Sequence, residues 1–240
     1  MKIEVLGTGS SGNCYKVKIG KATLLLECGL PYKVIQKKLN FKVSEIDACL
    51  VTHEHMDHAK AVKDLMKAGV DCYMTKGTAE TLGIKGHRLN IFYKNPYKGW
   101  QYNFKLLKYL IILPFEAVHD VAEPVSYFIK TRDDKESLVF VTDTAYLKYK
   151  IPECDVLMIE CNYVKSRLDE NVRLGNINTN LRNRIVKNHL SLESLVEALK
   201  AASLDRCRKI YLLHLSDGNS DEKLIKRTIQ ETTGIEAVVC

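Results

Sequence analysis

Seven consecutive residues, Thr52-His53-Glu54-His55-Met56-Asp57-His58, hold three imidazoles and two carboxylates. The 240-residue chain has only 7 histidines, so three between positions 53 and 58 mark a place built for chemistry. In an extended segment side chains alternate, which points His53 and His55 to one side. Asp57 and His58 follow as the chain turns toward a helix. Two ligand sets then lie side by side, enough for two metals about 3.5–4 Å apart. Imidazole and carboxylate donors without thiolate suit zinc or manganese, with iron as a third choice. The remaining ligands have to come from farther along. His119, Asp143 and His214 each stand where an apolar, strand-like run stops, after residues 115–118, 138–142 and 210–213. Any one of them alone reads equally as a turn residue. As a set they complete two coordination spheres.

These residues need a scaffold, and periodicity supplies it. Strands are predicted over residues 2–6, 14–19, 22–26, 48–52, 124–130, 137–142, 156–160 and 209–213. Helices are predicted over 32–39, 59–68, 191–202 (with Ser191 as N-cap) and 222–232. Residues 70–118 read as several short strands and hairpins. Within them Tyr93, Tyr97, Trp100 and Tyr102 interleave with Lys94 and Lys98, a pattern of core packing or of base stacking. Glu160-Cys161-Asn162, after a strand, reads first as a packing or turn segment and second as a reach to the site rim. The sum is a single α/β domain over 1–240, with two β-rich sheets flanked by helices.

Composition narrows the class. With 46% apolar and 27% charged residues, the chain is an ordinary globular one, and wholesale disorder is excluded. No stretch of about 18 uninterrupted apolar residues is present, so no membrane span is expected. The N-terminal residues lack the order of a signal peptide, which points to a cytoplasmic chain. The 8 cysteines form no Cys-x-x-Cys pair and sit mostly in apolar runs, as reduced core thiols do. The net charge is +7, and residues 165–209 hold most of the excess, among them Arg167, Arg173, Arg182, Arg184 and Lys187. Such a stretch is either a solvated face or a surface that attracts phosphate. The loop Gly7-Thr8-Gly9-Ser10-Ser11-Gly12-Asn13 is either a tight turn or a nest of backbone N–H groups for phosphate, with Ser10, Ser11 and Asn13 as candidate contacts. It is not a P-loop, because no Gly-Lys-Ser/Thr follows. A strand comes next rather than a helix, so it is not a dinucleotide fingerprint either.

The pattern His-x-His-x-Asp-His after a strand, followed by His, Asp and His at later strand ends, resembles the metallo-β-lactamase superfamily. More narrowly, the chain resembles the YycJ/WalJ-type metallohydrolases. The matching segments are Gly9-Ser10-Ser11-Gly12-Asn13, His119-Asp120 with Ala122-Glu123-Pro124, Thr142-Asp143-Thr144, Asn188-His189-Leu190-Ser191, and His214-Leu215-Ser216 with Asn219. The resemblance implies a four-layer αββα sandwich. It also implies that His53, His55 and His119 hold one metal, that Asp57, His58 and His214 hold the other, and that Asp143 bridges both. Where the family has a supporting Asp after an early strand, this chain has Glu27, which puts the geometry of that support in question.

The implied chemistry is attack by a metal-bridging hydroxide, with Asp57 orienting it or accepting its proton. His189, expected at the start of a helix, is similar to the histidine that ribonucleases of the tRNase Z type place on the scissile phosphate. The first functional expectation is therefore a phosphodiesterase acting on nucleic acid, DNA in particular, as an exonuclease. Arg182 and Arg184 are the candidate backbone contacts. The alternative is a small-substrate hydrolase of the same fold, acting on a cyclic nucleotide, lactone or thioester. The oligomeric state stays open, a homodimer included.

Overall fold

The computed structural model describes residues 1–94, 105–107 and 109–240. The chain divides into two compact units, one of Met1–Glu116 with Val121–Ser137 and one of Ala117–Asp120 with Leu138–Cys240.

The first unit opens with an antiparallel meander, β1 (Lys2–Gly7), β2 (Cys14–Ile19) and β3 (Ala22–Leu26). The sheet then continues in parallel through β4 (Ala48–Leu50), β5 (Cys72–Thr75) and β6 (Leu89–Phe92). Parallel strands are covered on both faces, and accordingly β4 is an unbroken apolar run and β3 one interrupted only by Thr23. The crossovers are α1 (Tyr32–Lys38) with a 3-10 turn at Val43–Glu45, then α2 (Met56–Ala59) with α3 (Val62–Lys67), then α4 (Lys76–Thr81). Leu25, Ile35, Cys49, Leu65 and Met74 form part of the core between these helices and the sheet. Three more strands, β7 (Lys105–Leu106), β8 (Leu110–Glu116) and β9 (Val125–Thr131), pair antiparallel. β9 reaches the end of β4, where Val125 N donates to Thr52 O at 3.1 Å and Tyr127 Oη donates to Val51 O at 2.5 Å.

The second unit is built on four parallel strands, β10 (Ser137–Val141), β11 (Val156–Glu160), β12 (Lys209–Leu213) and β13 (Glu236–Val239). Its helices are α5 (Lys165–Arg173), α6 (Thr179–Asn188), α7 (Leu192–Lys200) and α8 (Glu222–Thr233). Ser191 caps α7 as expected, its Oγ accepting from Ser194 N at 3.1 Å. Asp221 does the same for α8, at 3.0 Å from Leu224 N.

Four differences from the sequence reading have local causes. The helix predicted over 59–68 is two helices joined at Ala61, because Ala61 N donates to Cys28 O at 2.9 Å and pins the chain there. α4 occupies part of the region expected to be strands. Its start signal is the Thr75 side chain, which accepts from Thr78 N. α5 and α6 are not expected, since each carries only a short apolar pair, Leu168 with Val172 and Leu181 with Ile185, and buries a single residue, Leu168 and Asn188. β13 is four residues at the chain end, below the length at which periodicity speaks. The hairpin reading of 95–104, with Tyr97, Trp100 and Tyr102, lies outside the described residues.

Candidate metal centre

In parallel sheets, ligands gather at the carboxyl ends of strands. The second unit follows that rule. Asp143 lies two residues past β10, Glu160 is the last residue of β11, and His214 follows β12 directly. These three, with His189, each offer one ligand atom, and the four atoms lie within 4.8 Å of one another. Glu160 is fully buried, and its Oε1 is 2.6 Å from His189 Nδ1 and 3.1 Å from His214 Nδ1. Its Oε2 accepts from Leu190 N at 3.0 Å and Thr144 N at 3.1 Å. Asp143 Oδ1 accepts from Thr142 Oγ1 at 2.9 Å and is 3.4 Å from His214 Nδ1. His119 turns Nδ1 to Asn188 O at 3.1 Å, and its Nε2 is 3.9 Å from Asp143 Oδ2. Asn188 also accepts from Asp120 N at 3.0 Å, so the end of α6 fixes the segment that carries His119.

Charge agrees with this geometry. Burial works against the charged form of both Glu160 and His189. Their attraction outweighs it: the Glu160 carboxyl is held below its ordinary range, and His189 is raised above its own by Glu160 and then Asp143.

The first unit carries the other expected ligands. The chain leaves β4 into Thr52, whose N donates to both oxygens of Glu27 at 3.3 Å. Glu27 is fully buried, and its Oε1 is 3.7 Å from His58 Nδ1. Burial pushes its pKa up, and hydrogen bonds from His58 and Thr52 pull part of the way back. The longer side chain thus still supports the loop, answering the question its extra methylene raised. His53 Nδ1 meets Thr52 Oγ1 at 2.9 Å, and His53 Nε2 is 3.2 Å from His55 Nδ1. The rings of His53 and His58 are 4.1 Å apart, and Asp57 Oδ2 is 3.4 Å from His58 Nε2.

Asn13, expected at the substrate, faces inward. Its Nδ2 is 3.1 Å from His58 Nε2, its Oδ1 accepts from Tyr15 Oη at 3.0 Å, and its backbone N donates to Asp57 O at 2.7 Å. Through Asn13 the Gly7-to-Asn13 loop packs against the 53–58 segment, while Ser10 and Ser11 at its tip are exposed. Arg182 is bound to Asp169 at 3.0 and 3.1 Å, and Arg184 is exposed on α6. His189 does not start a helix. It is the C-cap of α6, and two residues later Ser191 caps α7.

Glu160, which the sequence presents first as a packing or turn residue, holds both His189 and His214. Its signal was the same as that of Asp143 and His214, a polar residue at the end of a buried apolar strand. Asn188 was visible only as part of a matching segment.

Nitrogen and carboxylate oxygen donors converge in both units with no thiolate among them, a set that fits a divalent cation. A family model for the beta-lactamase superfamily domain matches residues 24–215. The structure is similar to the metallo-beta-lactamase fold protein YhfI from Bacillus subtilis, with a TM-score of 0.73 at 16% identity over 99% of this chain and 95% of that one. The chain belongs to the metallo-β-lactamase superfamily, has the α/β fold class expected from its sequence, and is a metal-dependent hydrolase. Exodeoxyribonuclease WalJ of Streptococcus pneumoniae serotype 2 (strain D39 / NCTC 7466) is 32% identical over 239 residues, 95% of this chain and 86% of the relative. Exodeoxyribonuclease YycJ of Bacillus anthracis is 26% identical over 242 residues, 96% of this chain and 88% of the relative. Within the superfamily the chain is of this WalJ/YycJ type.

Among the described residues no helix is long and apolar enough to cross a membrane.

Proposed function

We propose that this chain is a phosphodiesterase acting on nucleic acid, and specifically a DNA exonuclease, working as one catalytic domain over residues 1–240. The observation that carries the reading is the buried Glu160 carboxylate 2.6 Å from His189 Nδ1. A histidine whose Nδ1 is held by a carboxylate acts through Nε2, the arrangement of a general acid or phosphate donor. In this reading His189 Nε2 binds the scissile phosphate and protonates the leaving oxygen. His53, His55 and His119 would hold one ion and Asp57, His58 and His214 a second, with Asp143 shared between the two sets. The ions are zinc or manganese, with iron third. When bound, they lower the pKa of water and stabilise the negative charge that develops on the phosphate. Asp57 orients the attacking water and accepts its proton. Two exodeoxyribonuclease-named relatives that match nearly the whole chain support the choice of DNA. Arg184 and Lys187, exposed on α6 just before His189, support a polyanionic substrate.

The test is incubation of the manganese- or zinc-loaded protein with end-labelled single- and double-stranded DNA and RNA, alongside bis-p-nitrophenyl phosphate and cyclic nucleotides. A His53→Ala, Asp57→Ala protein controls for contaminants. Metal-dependent shortening of DNA from one end is expected. Cleavage of small phosphodiesters with every polymer left intact would replace this reading by the small-substrate hydrolase.

A further inference from the structure

The helical segment that begins in the metal loop carries a second feature. Met56, Lys60, Lys63 and Lys67 stand at i, i+4, i+7 and i+11, which fall within about 60° of one another around a helix. All four are exposed, Met56 by 59%, while Ala59, Val62 and Leu65 on other faces are buried. The backbone at Lys60 is right-handed helical (φ −50°, ψ −42°) and at Ala61 lies near it (φ −96°, ψ 8°), so the line carries across the joint between α2 and α3.

The line ends at a cavity. Lys63 and Lys67 form one wall of a space of about 410 Å³, Lys85 and Arg88 another, and Met66 and Ile84 supply apolar surface. Arg88 is paired with Asp71 at 3.0 Å, and Asp64 flanks the line on α3. Among the described residues, Lys60, Lys63, Lys67 and Lys85 make no ion pair. Part of the basic stretch in the second unit is neutralised. There Arg167, Arg173, Arg182, Arg206 and Lys209 are each matched by a carboxylate within 4.0 Å. Arg184 and Lys187 on α6 are, like the lysines of α3 and the 83–88 loop, without an ion pair among the described residues, so charge left for a polyanion lies in both places.

Seven residues of helix span about 10 Å, about three of the roughly 3.4 Å axial steps by which the phosphates of one stacked strand advance. We propose that this line and its cavity are a track for a polynucleotide strand running from the metal loop. The lysines take successive phosphates, and the Met66–Ile84 surface takes the apolar face of a base. The proposal rests on the polynucleotide reading above and adds where the strand lies.

A Lys63→Glu, Lys67→Glu, Lys85→Glu protein tests it against a Lys33→Glu, Lys37→Glu, Lys223→Glu protein with the same change in charge. The readouts are the ratio of kcat/KM for single-stranded DNA to that for bis-p-nitrophenyl phosphate, and the salt dependence of oligonucleotide binding. The track variant is expected to lower the ratio at least tenfold. Its plot of log K against log salt should flatten by about 2, from three contacts at about 0.7 each. The control variant should keep both wild-type values. A Lys63→Gln, Lys67→Gln, Lys85→Gln protein, checked by circular dichroism, should fall between. Equal losses in track and control variants would reduce the effect to net charge and overturn the track, as would no loss in either. If the wild-type protein cleaves bis-p-nitrophenyl phosphate but neither binds nor shortens any polynucleotide, the proposed function falls first and the track with it. Binding to anionic phospholipid vesicles instead of oligonucleotides would overturn the track in favour of a membrane surface.

Discussion

A Cβ on Gly29 would lie 1.7 Å from the carbonyl oxygen of Asp57. The backbone after β3 thus touches the metal loop so closely that only glycine fits, and the same segment holds the loop by Cys28 N donating to His58 O at 2.8 Å. Gly29→Ala should displace the loop, because the neighbour is backbone and cannot rotate away. The expected outcome is a loss of about 1–3 kcal/mol or more in stability together with loss of metal uptake. Thermal melts and elemental analysis of the purified variant check both; a variant with wild-type metal content would disprove the steric argument.

Asn13→Ala removes the amide facing His58 Nε2 and the acceptor of Tyr15 Oη. Losing an outer partner of a ligand typically weakens metal affinity about 10–100-fold. Competition with a chromogenic chelator measures it. Unchanged affinity, with a shift only in oligonucleotide binding, would return Asn13 to the substrate.

Glu160→Gln keeps the shape but weakens the hold on His189 and His214. Hydrolysis of both DNA and bis-p-nitrophenyl phosphate should fall roughly 10²-fold, mainly in kcat. The pKa of His189 should drop toward its ordinary value, since Glu160 is the leading cause that raises it. Histidine proton resonances followed against pH report this directly, and an unmoved His189 would show that the carboxylate does not govern it.

Removing metal should cost stability by mass action. An ion present at about 100 times its dissociation constant adds about 2.7 kcal/mol, so chelation should lower the melting temperature, and re-addition of zinc or manganese should restore it. A melt indifferent to chelator would mean that the ligand residues hold their places without an ion.

Thiol chemistry gives a prediction away from the site. A hydrogen bond from Cys154 lowers the Cys207 thiol and raises its partner. Burial raises Cys240 to about 11. Cys207 should therefore be alkylated at a lower pH than Cys240 and before Cys154. Mass spectrometry after brief iodoacetamide treatment across pH decides the order.

The sequence was most informative where strands are buried and end in a polar residue. β2, β3, β11 and β12 are found at the predicted limits because the alternation of β2 and the mostly apolar runs of the other three leave little choice. The His53-to-His58 cluster was equally legible, since its residues are neighbours in the chain. What was hidden is what neighbours in space decide. Asn13 faces His58 across 45 positions, and nothing in the loop's composition separates a buttress from a phosphate nest. Glu160 carried the right signal but looked like a strand terminus. α5 and α6 were hidden because an apolar pair one turn apart is too short a stripe to mark a helix among so many charged and polar residues.

Glu27, Asp143 and His214 share one more property. Each follows a strand and holds a left-handed backbone, with φ of 63°, 26° and 54°. Such conformations cost on the order of 1–3 kcal/mol each in residues other than glycine. Directed evolution of this chain for heat resistance alone would be drawn to glycine at these three positions, and would dismantle the site as it succeeded. A useful thermostable variant has to be sought elsewhere, for example in new apolar or paired residues on the nearly all-exposed faces of α5 and α6.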